Sequence, residues 1–322
     1  MHHKDCNPFD NSSLAGIGRG MHALFSRPPA RLAAALLLAA LPSCKPAGPG
    51  GNATAATAPA EQRYPLTGEI LKVDAVKNTL LVRHEAVPNY MPGMTMEFAV
   101  SPADAATTRE GERIRAELVV DATGARLEKI WPVDAVADST VAAAAGALRQ
   151  ETSIRGKSAY REIGENLPDF TLYDQEARVV SAARFRGRQI MLNFIYSRCP
   201  IATMCPAATT QMMAVQRKAR EAGVKNLELV SITLDPEFDT PGVLKAYARV
   251  RGIDTANFSF LTGPEGAIKD LLTQFGVVAE FDGSILKHSL ATLLINADGK
   301  IIWRADGSQW SPDEFVGRMK KE

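Results

Sequence analysis

The chain is poor in the features that usually settle a protein's class at a glance. It has four cysteines in 322 residues, too few for a disulfide framework. It has no charge excess. Lys plus Arg number 37 against 36 Asp plus Glu, a net charge of +1, so no long-range field exists to gather phosphate backbones, and nucleic acid is not expected as a partner. Its run of Leu and Ala from Leu32 to Leu41 is ten residues long. As a helix that run rises only about 15 Å, too little to span a bilayer. No internal repeat is visible. What is present is ordinary globular material, 46% hydrophobic and 23% charged, in a length that suggests two domains.

The N-terminal region looks like a targeting signal. From Met21 the chain reads MHALFSRPPARLAAALLLAALPSC, in which Arg27 and Arg31 precede the apolar run and Pro42 stops it. This is the n-region and h-region pattern of a secretory leader. Leu41, Pro42 and Ser43 before Cys44 resemble the bacterial lipobox, in which the cysteine is diacylated and becomes the mature N-terminus. Ordinary signal-peptidase cleavage is the alternative. Met21 is then the expected start, which leaves His2, His3 and Cys6 without a role as metal ligands. Residues 1–43 are assigned to the upstream segment and leader. Residues 44–63, rich in Pro, Gly, Ala and Thr, are assigned to a flexible tether, because they have too little bulky apolar surface to offset ordering entropy.

Residues 64–136 carry five short alternating runs separated by turn signals: LTGEILKVD, TLLVRHE, MTMEFAV, ERIRAELVV and ARLEKIWPV. Five strands in so short a span predict a small all-β barrel. Residues 137–160 are rich in Ala, Ser and basic residues without sustained periodicity and are expected to be a linker, with a short helix over 142–149 as the variant reading. From 161 to 322, strands alternate with helices. QIMLNFIY, LELVSITL and LATLLIN are expected as buried strands, and 206–221, 241–251 and 264–275 as helices opening at prolines. The last strand continues into a hairpin over Ala297–Asp298–Gly299. This is an α/β domain with a mixed sheet.

Two motifs carry chemistry. In NFIYSRCPIATMCP a strand passes into a helix at Pro206, placing Cys205 at the helix N-terminus, where the dipole favours thiolate, and Cys199 at the strand end. Thioredoxin exchange uses two intervening residues and a proline before the facing strand, whereas here five residues intervene and Lys287-His288-Ser289 precedes LATLLIN. Peroxidase chemistry would need threonine and proline where Ala202 and Arg198 stand. Two thiolates and an imidazole suit Cu(I), and can also take Cu(II). In HEAVPNYMPGMTMEF, Met94 and Met96 share a strand face and can meet His84 from the neighbouring strand, while Met91 lies in the intervening turn. Thioethers and imidazole select soft Cu(I) or Ag(I).

Over about 160 residues, through LPDFTLYDQE, Cys199 and Cys205, ITLDPEFDTP and KHSLATLLINADGKI, the chain resembles the Sco/SenC family. These are thioredoxin-fold copper chaperones and thiol reductants tied to assembly of the cytochrome oxidase dinuclear copper centre. The resemblance implies Cys199, Cys205 and His288 as copper ligands, with the cysteines as a redox pair, and places Asp235 in a loop near the metal. An Asx turn with Asp239 or Thr240 capping the following helix is the competing reading for that loop. Family members commonly have three residues between the cysteines, so the five here are a departure. Over about 70 residues the first domain resembles the periplasmic CusF-like copper-binding domain, an OB-fold. That resemblance implies His84, Met94 and Met96 as ligands. Met91 stands where the family places a capping tryptophan, either as a further ligand or with the capping lost.

The expected protein is therefore a CusF-like barrel followed by a thioredoxin-like domain, lipid-anchored in the bacterial cell envelope and facing the periplasm. It would bind copper and deliver it to, or reduce thiols of, a copper-accepting apo-protein such as an oxidase subunit. A thiol-disulfide oxidoreductase with incidental copper, and a copper-sequestering tolerance protein, are the alternatives.

Overall fold

A computed structural model of the chain describes residues 61–156, 159–282 and 285–319; the leader, Cys44 and most of the tether lie outside the described residues. The five runs of the first domain form β1 (Gln62–Asp74), β2 (Thr79–His84), β3 (Met94–Ala99), β4 (Arg113–Asp121) and β5 (Gly124–Pro132). They close into a ring in the order β1-β2-β3-β5-β4, antiparallel throughout except where Ala99 of β3 runs beside Arg126 of β5. Alternate residues fill the ring, including Leu66, Ile70, Leu80, Val82, Phe98, Ile114, Leu118 and Leu127. A short helix α1 (Pro102–Thr107), capped by the Ser101 hydroxyl, bridges β3 and β4 and has no strong signal beyond its Ser-Pro start.

The expected linker is corrected by the structure. Residues 135–155 form one continuous helix, α2 (Ala135–Arg155), whose N-terminus is capped by Asp134 through the amides of Val136 and Ala137. Its composition is Ala-rich, which favours helix intrinsically, but its apolar stripe is sparse. Burial rests on Val141 and Leu148, and Leu148 belongs to the hydrophobic core of the second domain. Arg149 reaches Asp270 at 2.8 Å, and Gln274 donates to Thr152 at 2.9 Å.

The second domain begins with a small hairpin, β6 (Thr171–Tyr173) and β7 (Val179–Ser181). Its sheet contains β8 (Gln189–Ile195), β9 (Leu227–Thr233), β10 (Phe258–Leu261), β13 (Ala291–Ile295) and β14 (Ile301–Asp306), in the order β10-β9-β8-β13-β14. β8, β9 and β10 are parallel, and β13 and β14 antiparallel. Every residue of β8, β9 and β13 is buried, as expected for central strands covered on both faces. Between them run α3 (Cys205–Glu221), α4 (Pro241–Val250) and α5 (Glu265–Phe275), and α6 (Pro312–Arg318) closes the domain. A two-stranded ribbon, β11 (Ala279–Asp282) and β12 (Ile285–His288), leads into β13. This is the expected thioredoxin-like α/β architecture.

The two domains share a packed interface. α1 packs against α4, Trp131 of β5 meets Tyr173 edge-on with ring centroids 5.8 Å apart, and Arg115 of β4 reaches Asp138 of α2 at 3.1 Å.

Candidate metal centre

The parallel strands of the second domain end on one edge, and the chemistry lies there. β8 runs out at Ile195, and the Cys199 loop follows and folds back so that Cys205 opens α3 behind Met204 as N-cap. At the same end of the sheet the β11–β12 ribbon delivers His288 just before β13, the antiparallel neighbour of β8. One ligand atom each of Cys199, Cys205 and His288 lies within 4.8 Å of the others. The Cys205 Sγ to His288 Nε2 distance is 3.4 Å. Both cysteines are free thiols; Cys205 is fully buried and Cys199 partly exposed.

His288 is oriented by its own backbone. Its Nδ1–H donates to the Ser289 carbonyl at 3.0 Å, which fixes the tautomer and turns the Nε2 lone pair toward Cys205. Tyr196 packs edge-on against the ring at 5.4 Å between centroids. Burial pushes the His288 pKa down and the Cys205 thiol up. At Cys205 burial thus opposes the pull of the helix N-terminus toward thiolate.

Asp235 is buried but is not among the three convergent ligand atoms; its Oδ2 accepts from Arg198 Nε at 2.8 Å, holding the residue before Cys199. Asp239, which the sequence offers as a helix cap, does not serve as one. The cap is Thr240, whose Oγ1 accepts from Val243 N. Asp239 instead accepts from Ser197 N at 3.1 Å, from the Ser197 hydroxyl and from Thr233 Oγ1 at 2.6 Å, clamping the turn that leads to Cys199. The repeat of Asp in D-P-E-F-D was the available signal for two anchoring carboxylates.

A second cluster lies at one end of the β ring. His84 of β2 pairs across from Met94 of β3, and Met96 pairs with Val82, so the three side chains share one face. His84 is 3% exposed, and its Nδ1–H donates to the Glu85 carbonyl at 2.7 Å. Its Nε2 is buried with no hydrogen-bond partner. Such an orphaned acceptor costs stability unless something coordinates it, so the imidazole suits a soft cation. Met94 is 44% exposed, while Met96 and Met91 are partly buried against the ring's core. Met91 is held by a two-way backbone bridge with Val87, at 2.9 and 3.2 Å. Gly68 lies across from His84 on β1, where a Cβ would come within 2.7 Å of Val82 Cγ1.

Known proteins agree with this division. Residues 159–322 match the SCO1/SenC family profile, and residues 63–132 match that of the copper binding periplasmic protein CusF. A SCO1 protein homolog of Bacillus subtilis is 27% identical over 157 residues, 47% of this chain and 79% of that protein. The mitochondrial SCO2 homolog of Bos taurus is 29% identical over 221 residues, 62% of this chain and 74% of that protein. A SCO1/SenC family lipoprotein from Bacillus anthracis, of known structure, is 24% identical with a TM-score of 0.45, covering 49% of this chain and 96% of that one. The chain belongs to the SCO1/SenC family and carries a CusF-like copper-binding domain ahead of the family's thioredoxin-like fold.

Proposed function

We propose that this copper-binding protein works in the cell envelope as a chaperone, holding copper through Cys199, Cys205 and His288 and passing it to an apo-protein such as a cytochrome oxidase subunit. The carrying observation is the convergence of two thiols and an imidazole lone pair within 4.8 Å. When bound there, copper supplies a soft centre for thiolate exchange with an acceptor. The residues bring the rest: Ser289 orients the imidazole, Arg198 and Asp239 hold the Cys199 loop, and burial shields Cys205. His84, Met94 and Met96, with Met91 as a further donor, are proposed as a second Cu(I) site.

Envelope location is supported by the CusF match and by the Bacillus lipoprotein relative. Among the described residues no helix is long and apolar enough to cross a membrane. Anchoring through a diacylated Cys44 is part of the proposal. Intact mass of membrane-extracted protein tests it: a diacylglyceryl chain beginning at Cys44 is expected, and an unmodified chain cut elsewhere refutes it.

A thiol reductase role for the same pair is favoured by one observation, the partial exposure of Cys199 against the full burial of Cys205, an arrangement suited to one attacking and one resolving sulfur. His288→Ala separates the readings. Copper affinity is expected to fall at least tenfold while the Cys199–Cys205 disulfide still forms. Unchanged affinity removes histidine from the site and leaves the reductase.

A further inference from the structure

An open cleft of about 690 Å³ adjoins the thiol site on its His288 side. His288 lines it, and so does Met204, the residue immediately before Cys205. Three other polar side chains on that wall are engaged. Asp306 pairs with Arg304 at 2.9 Å, and the Ser308 hydroxyl donates to the Thr203 carbonyl at 2.6 Å. Among the cleft's lining residues Met204 is the sole additional soft donor. Its backbone is fixed on both sides: Met204 N donates to Ile201 O at 3.0 Å, and its carbonyl accepts from Ala208 N at 2.9 Å in the first turn of α3. The Ser308 contact pins the peptide just ahead of it. The five-residue spacing thus puts a partly buried methionine immediately before the second cysteine and on the lining of the cleft that His288 shares.

We propose that Met204 is a fourth copper ligand, closing the Cys199, Cys205 and His288 set from the cleft side. This rests on the copper reading above. The chemistry follows from donor type: a thioether adds affinity for Cu(I) and little for harder ions. As a neutral ligand on the exposed wall, it is also the one an incoming acceptor thiolate would displace first.

The test uses the full reduced chain carrying Met94→Leu and Met96→Leu, so that the thiol site alone reports. In that background Met204→Leu conserves volume and removes sulfur. The expected result is a loss of Cu(I) affinity of about tenfold in competition with a colourless-to-coloured Cu(I) chelator. X-ray absorption at the copper edge should show one sulfur neighbour fewer. Thermal stability and disulfide formation should be unchanged. Affinity within twofold of the parent together with an unaltered sulfur count overturns the proposal while leaving the copper reading intact. If Cys199→Ser with Cys205→Ser leaves copper binding at parental strength, the copper reading itself falls, and the Met204 proposal with it.

Discussion

Two histidines in unrelated folds are prepared in the same way. His84 and His288 each donate Nδ1–H to the carbonyl of the next residue, Glu85 and Ser289, and so present an Nε2 lone pair inward. Each tautomer is set by local backbone before any metal arrives, which lowers the ordering needed on binding. For the first site this makes a sharp expectation. Met94→Leu with Met96→Leu should leave the β domain folded, because volume is conserved, and should abolish its Cu(I) binding. Titration followed by the methionine methyl resonances checks this, and wild-type affinity in the double variant would make the methionines core residues only. Asp239 gives a prediction of another kind. Burial raises its pKa from 3.8 to about 6 despite its three hydrogen bonds. The folded chain then keeps this proton to a higher pH than the unfolded chain, so stability falls as pH rises from about 4 to 6. A shift of that size corresponds to a few kcal/mol at most, at about 1.4 kcal/mol per pKa unit. Asp239→Asn should flatten the dependence of Tm on pH across that window, and a wild-type profile already flat there would contradict the assignment.

At the scale of elements, strongly patterned segments were legible and weakly patterned ones were not. The five alternating runs of the first domain all became strands, and the three proline-led helices formed within a residue or so of their expected starts. Sequence alone also placed both cysteines and His288 at one site, because the strand-to-helix transition and the residues before β13 carry recognisable motifs. The helix α2 was misread because helicity there comes from Ala propensity, while only Val141 and Leu148 are buried on its inward side, too few to produce a clear period. At Cys205 the helix N-terminus is visible in sequence, whereas the burial that pushes its thiol pKa up depends on tertiary packing. The structural assignment of α2 is testable through Leu148, which is 2% exposed and sits in the second domain's core. Leu148→Ala should cost about 2–5 kcal/mol in denaturant unfolding. A truly flexible linker would tolerate the change without measurable loss.

For the whole molecule, α2 and the α1–α4 contact mean that the first domain does not swing on a floppy tether. The direction of copper movement is unaffected, since it depends on the affinities of the two sites and not on the path between them. Thiolates hold Cu(I) more strongly than thioethers, so one equivalent offered to the reduced chain should settle on Cys199 and Cys205 and leave His84, Met94 and Met96 empty. Oxidising the pair to a disulfide removes both thiolates and should send the metal to the methionine site. Acid should act in the same direction, by proton bookkeeping. Copper on the thiol pair displaces two protons, whereas the thioethers have none to lose and the imidazole at most one. Lowering pH from about 7.5 to 5.5 should therefore raise the share of copper on the methionine site. Methionine methyl shifts at one equivalent of Cu(I), followed across pH and then after oxidation, read the distribution directly. Copper resting on Met94 and Met96 while the thiols are reduced at pH 7.5 would reverse the proposed direction and make the two domains independent stores.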